Sequence, residues 1–171
     1  MDGFVSWFEN RLVEDPAQPW IEHRLENGVL YSHSLDVHQD AQGRTCIFVA
    51  EMEQGGWHAP YNLDAREMLY ITSDHGQTWQ REIISQGEGT HQAMMTDIDG
   101  DGELEVVGKT WGSYWHNPKI QIWKQKAQPA LKVQFEHRFL DRDKPDLTVE
   151  IFGADIDQDG RQDVVCGPWW Y

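Results

Sequence analysis

The chain has 171 residues, enough for one domain with a sizeable core, and a formal net charge of −15. Such an acidic balance argues against nucleic acid or an anionic membrane as the main partner. No apolar run reaches the roughly 18 residues that would span a bilayer, so no membrane insertion is expected, and the N-terminus shows no basic region followed by an apolar run of the signal-peptide kind.

In chain order, short apolar-alternating segments between turn signals predict strands throughout, with no long helical pattern. Val5–Asn10 and Trp20–Leu25 come first. His33–Val37, Arg44–Glu51, Met68–Thr72 and Trp79–Ile84 follow, the last two joined by the turn Asp74-His75-Gly76-Gln77. A second set of four spans His91–Thr96, Leu104–Lys109, Lys119–Lys124 and Val133–Phe139. The chain closes with Val149–Ala154, Val164–Cys166 and Trp169–Tyr171.

This is a repeat. Asp97-Ile98-Asp99-Gly100-Asp101-Gly102-Glu103-Leu104-Glu105 returns 58 residues later as Asp155-Ile156-Asp157-Gln158-Asp159-Gly160-Arg161-Gln162-Asp163. A period of this size, with four strands in each period, predicts an all-β β-propeller built from four-stranded antiparallel blades. The expected division is a half blade over 1–29, blades over 30–87 and 88–144, and a half blade over 145–171, all in a single propeller segment. Such a partial propeller leaves blade edges open, to be covered by the rest of the ring or by other copies of the chain. A fragment of a longer chain is the preferred expectation, because Met1 falls at no natural blade boundary.

The repeated loop is the chemical motif. Acids at positions 1, 3, 5 and 9 can point oxygens into one cavity, the glycine at position 6 permits the sharp turn, and position 7 offers its backbone carbonyl. Asp97, Asp99, Asp101, Glu103 and Glu105 therefore form one expected Ca²⁺ site, and Asp155, Asp157, Asp159, Arg161 and Asp163 a second. Hard cations want six to eight oxygens, and this spacing supplies most of them. An upstream copy, His38, Asp40, Gln42 and Cys46, has lost most of its ligands. It is expected to keep the turn geometry and to hold calcium weakly or not at all. The role expected for the ion is structural, tying the first two strands of a blade together.

Phe152-Gly153, the acidic loop and Gly167-Pro168 together resemble an FG-GAP repeat, the blade unit of integrin α-subunit propellers and of bacterial and fungal VCBS-type proteins. The resemblance extends over almost the whole chain and is strongest at 91–109 and 149–171. It implies a calcium-stabilised propeller, extracellular or periplasmic, whose relatives serve as adhesion modules, lectins, and frames for polysaccharide lyases and sugar dehydratases. Two features depart from the pattern: Glu105 stands where the family more often has Asp, and the unit at 33–51 lacks most ligands. Calcium sites of extracellular modules bind at about 10⁻⁴–10⁻³ M, which also favours an exported location.

Of the nine Trp residues, five lie in loops on the blade face opposite the calcium loops. Trp57, His58 and Tyr61 lie in one second-to-third-strand loop, Trp111, Tyr114, Trp115 and His116 in the next, and Trp169 and Trp170 in the third. His33 and His91 enter first strands at that end, and Glu51 and Lys109 leave second strands there. Flat rings stack on sugar C–H faces while polar groups read hydroxyls. His33, Glu51, Trp57, His58, His91, Lys109, Trp111 and Trp115 are thus candidate ligand-binding residues for a carbohydrate or an extracellular protein. Packing between blades and strand-end capping would use the same residue types, and for Trp20, Trp79 and Trp123 packing is expected. A polysaccharide lyase or sugar dehydratase, with His33, His91 and Lys109 as acid/base groups, is the alternative. A lyase also needs a group to neutralise the substrate carboxyl, and no arginine stands within the aromatic stretches Trp57–Tyr61 and Trp111–His116. A purely structural subunit of an extracellular assembly is a third possibility. Cys46 and Cys166 sit at different repeat positions, so small buried strand residues are expected rather than a disulfide.

Overall fold

The structure is a computed structural model describing residues 3–11, 17–53, 61–110, 119–126, 134–142, 151–154, 156, 163–166 and 169–170. Among these, every regular element is a β-strand. The chain divides into two compact units, Met1–Leu30 and Tyr31–Tyr171.

The first unit is a two-stranded antiparallel ladder of β1 (Gly3–Glu9) and β2 (Ile21–Val29). Trp7 and His23 are register partners whose rings stack at 4.1 Å and 7°. The Glu9 carboxylate lies 3.1 Å from His23 Nε2, and the Arg24 guanidinium covers the Phe4 ring at 3.6 Å. Cross-strand aromatic and charged pairs of this kind are what hold a ladder together.

The second unit contains three sheets, each with its strands in sequence order. The first is β3 (Ser32–Gln39), β4 (Thr45–Glu51), β5 (Arg66–Thr72) and β6 (Gln80–Gln86). The second is β7 (Gln92–Thr96), β8 (Glu105–Lys109), β9 (Ile120–Lys126) and β10 (Gln134–Asp141). The third is β11 (Ile151–Ala154), β12 (Asp163–Cys166) and β13 (Trp169–Trp170). All neighbouring strands are antiparallel, and the strands expected from the alternation pattern are present with their ends shifted by a few residues.

The first strands of successive sheets lie beside one another, β3 against β7 and β7 against β11. Side chains of β3 reach the β7 backbone one repeat away. Ser34 Oγ accepts from Ala93 N at 2.6 Å and Asp36 Oδ2 accepts from Met95 N at 2.6 Å. These bonds satisfy edge-strand N–H groups of buried residues that would otherwise lack a ladder partner.

The core sits between sheets. Cys46, Phe48 and Ala50 of β4, Leu69 and Ile71 of β5, Ala93 and Met95 of β7, Val106 of β8 and Trp123 of β9 form one buried cluster. Val107, the next residue on β8, faces the other way, into a cluster with Ile120 and Val164. Because successive strand residues alternate faces, a sheet covered on both sides reads as a continuous apolar run. This is why β4, β5 and β8 are almost wholly buried. Cys46 is a free, buried thiol, pushed up to about 11, chiefly by burial. Trp123 is fully buried, as expected of a packing residue, whereas Trp20 is 46% exposed.

Candidate metal centre

The loop between β7 and β8 is folded by its own acids. Asp97 Oδ1 accepts from Asp101 N at 3.0 Å and its Oδ2 from Gly102 N at 2.9 Å, while Asp101 Oδ1 accepts from Glu103 N at 2.9 Å. Gly100 and Gly102 sit at φ 74° and 88°, a region that L side chains rarely adopt and glycine enters freely. The turn thus places Gly102 as the spacing predicts.

Three carboxylates converge. Asp97, Asp99 and Glu105 each present an oxygen, and these atoms lie within 4.8 Å of one another. Glu105 opens β8 and is fully buried. Its Oε2 accepts from Ile98 N at 3.1 Å, while Oε1 has no hydrogen-bond partner among the described residues. Burial pushes this carboxyl up to about 7; the charges of Asp99 and Asp101 push the same way, and the Ile98 N–H and the Lys124 charge oppose them. A buried carboxylate oxygen without a donor is costly. A hard divalent cation would satisfy it together with Asp97 and Asp99, so the all-oxygen donor set fits an ion of the calcium class.

One member of this site was not anticipated. Lys124 of β9 reaches across the sheet to Asp99 Oδ2, and its Nζ lies 2.9 Å from Asp101 Oδ2 and 3.8 Å from Glu105 Oε1. These carboxylates, Asp99 first, hold the ammonium pKa well above its ordinary value. Asp101 is held low, first by the Glu103 N–H and then by Lys124. The signal was present in the strand register: Val106 pairs with Trp123, so Glu105 and Lys124 are the next cross-strand neighbours.

The second acidic loop lies outside the described residues except for exposed Ile156 and the backbones of the strands it joins. Those backbones pair Ala154 with Asp163, the same register as Thr96 with Glu105. The side chains of Asp155, Asp157, Asp159, Arg161 and Asp163 are not described.

The upstream copy differs from the expected geometry. Gly43 keeps its positive φ of 75°, but the ladder continues through His38 with Cys46 to Gln39 with Thr45. The positions equivalent to Asp97 and Glu105 are therefore paired strand residues, and the turn is shortened to 40–44. Asp40 closes the turn by accepting from Gln42 N at 3.1 Å and Arg44 N at 2.8 Å, and it pairs with Arg44 Nε at 2.5 Å.

At the other end of the sheets the candidate ligand-binding residues separate. His33 and His91 come together, their rings stacked at 4.1 Å, with His33 Nδ1 2.8 Å from His91 O. His91 is buried, and burial lowers its pKa to about 4, aided by His33 and Lys109. Its ring is therefore neutral at physiological pH. Lys109 is buried, and its carbonyl accepts from His91 N at 2.7 Å. Glu51 is buried and tied to the start of β5, accepting from Arg66 Nη2 at 2.6 Å, Arg66 N at 3.0 Å and Asn62 Nδ2 at 3.3 Å. Trp57, His58, Trp111 and Trp115 lie outside the described residues; Tyr61 is 57% exposed. Sequence reasoning also missed Glu67, fully buried, which accepts from Thr90 Oγ1 at 2.9 Å and is pushed up to about 7 by burial.

No helix of the described residues is long and apolar enough to cross a membrane. Comparison with family models, with curated proteins and with solved structures gave no match.

Proposed function

We propose that this chain is a segment of a calcium-stabilised β-propeller of the FG-GAP/VCBS kind, exported from the cell. In this role it is a binding module for a carbohydrate or an extracellular protein. The observation that carries the metal assignment is the convergence of Asp97, Asp99 and Glu105 oxygens within 4.8 Å, with a fully buried Glu105 oxygen that lacks a donor among the described residues. The ordered stacking of sheets, first strand beside first strand, supports blades arranged around an axis.

The ion's role is structural. It ties the start of β8 to the end of β7, at the opposite end of the sheet from the aromatic segments. Ligand recognition is assigned to that end, with exposed Tyr61 at its border; Trp57, Trp111 and Trp115, which the sequence offers for stacking, lie outside the described residues. The enzyme alternative is disfavoured by the placement of its would-be acid/base groups: His91 and Lys109 are both buried, away from any polymeric substrate. A binding module needs neither to exchange protons. The test is calcium uptake by the chelator-stripped chain, followed calorimetrically in the wild type and in Asp99→Ala.

A further inference from the structure

An ammonium group stands against the oxygens that would hold a divalent ion. Lys124 contacts Asp99 Oδ2, and its Nζ lies 2.9 Å from Asp101 Oδ2 and 3.8 Å from the buried Glu105 Oε1. Asp99 and Glu105 are also two of the three residues whose oxygens converge. The lysine and a metal ion would therefore compete for the same oxygens, and like charges a few ångströms apart repel strongly.

The repeat supplies an internal comparison. Across from Glu105 the register places Lys124, since Val106 pairs with Trp123. One period upstream the corresponding positions are Cys46 and Ile71, register partners that are both buried and apolar. Where the last acid of the loop is replaced, its cross-strand lysine is replaced too. The surviving acid there, Asp40, takes a cation from within its own turn, Arg44. Each of the two described loops thus carries a protein cation matched to its carboxylates.

We infer, building on the reading of the 97–105 loop as a cation site, that Lys124 is its resident counter-ion and that calcium binds by displacing the lysine ammonium. In the metal-free chain Lys124 neutralises the clustered acids and keeps the loop closed. On binding, the ammonium moves to solvent, which its side chain, 41% exposed, can reach without opening the core. The loop has two closed states rather than one closed and one unfolded, and calcium affinity is set below what the oxygens alone would give. Lys124 is a positioning residue in this scheme, not a ligand.

The test is Lys124→Met in a chain also carrying Asp157→Ala, which silences the second acidic loop, compared with Asp157→Ala alone. Calcium is titrated calorimetrically, and melting is followed in chelator. Loss of the competing charge should tighten calcium binding on the order of tenfold, while the metal-free protein should melt lower than its parent. In the parent, labelling of Lys124 by an amine-reactive ester, read by peptide mass spectrometry, should rise severalfold on calcium saturation. Equal or weaker calcium binding by the Lys124 variant would overturn the displacement and leave the cation site standing. Absence of calcium uptake in both proteins would remove the displacement and the cation site together. Lys124→Gln provides the same comparison should the methionine variant fail to fold.

Discussion

Replacing Glu105 by Gln should have opposite effects on stability with and without calcium. In the metal-free chain the buried carboxyl is raised from 4.5 to about 7, so above neutrality the folded state holds a charge that its surroundings disfavour. By linkage that burden is on the order of 3 kcal/mol at pH 8. Glutamine keeps an acceptor for the Ile98 N–H, which Glu105 Oε2 now serves at 3.1 Å, and removes the charge. The variant should therefore gain up to about 2–3 kcal/mol in chelator, or roughly 4–12 °C in a chain of this size. With calcium at about a hundred times its dissociation constant the wild type gains about 2.7 kcal/mol by mass action, most of which the variant forfeits with its ligand oxygen. The assay is calorimetric melting at pH 8 in chelator and in calcium at about a hundred times its measured dissociation constant. The variant should melt above the wild type in the first and at or below it in the second. A shift of the same sign and size in both conditions would refute the assignment, leaving Glu105 as a packing and hydrogen-bonding residue.

Two further outcomes are expected. Glu67 is raised from 4.5 to about 7 by burial, opposed by Thr90 and Ser85 and reinforced by Glu88. Folding therefore takes up a proton in that window, and stability falls as pH rises through it. Glu67→Gln should flatten this slope by on the order of 1 kcal/mol per pH unit in urea unfolding series, and an unchanged slope would reassign it to other groups. Gly108→Ala would place a methyl 2.8 Å from Trp123 Cζ3 and 3.0 Å from Thr90 Cγ2, against a fully buried indole. It should cost about 1–3 kcal/mol in thermal melts while leaving calcium uptake intact, and an unchanged melting temperature would mean that the indole can yield.

The strands were legible because two-residue alternation and Gly/Asp turns are local signals, and because the repeat states them twice. The acidic loop was legible for the same reason: ligand spacing within nine residues is a property of the chain itself. Lys124 was not legible from the motif, since it lies on β9 and enters the site only through strand register. That register could have been inferred by pairing the alternating strands, but charge spacing alone does not reveal it. The shortened turn at 40–44 was missed for a related reason. An ungapped alignment preserves Gly43, yet two positions that repel as acids can pair in the ladder once they are His38 and Cys46. Glu51 looked like a ligand-face acid, and its commitment to Arg66 and Asn62 depends on how the ends of β4 and β5 meet. Buried polar networks of this sort are invisible to composition because each partner, read singly, resembles a surface residue.

The central claim, a calcium ion held by the 97–105 loop and its repeat, is tested most directly by calorimetric titration of calcium into chelator-stripped protein. Saturable uptake near two equivalents per chain, falling to one in Asp99→Ala, is the predicted result, with affinities of about 10⁻⁴–10⁻³ M or tighter. No uptake at millimolar calcium, with Asp99→Ala indistinguishable from the wild type, would contradict it and leave Lys124 as the cation that Asp99 and Asp101 hold.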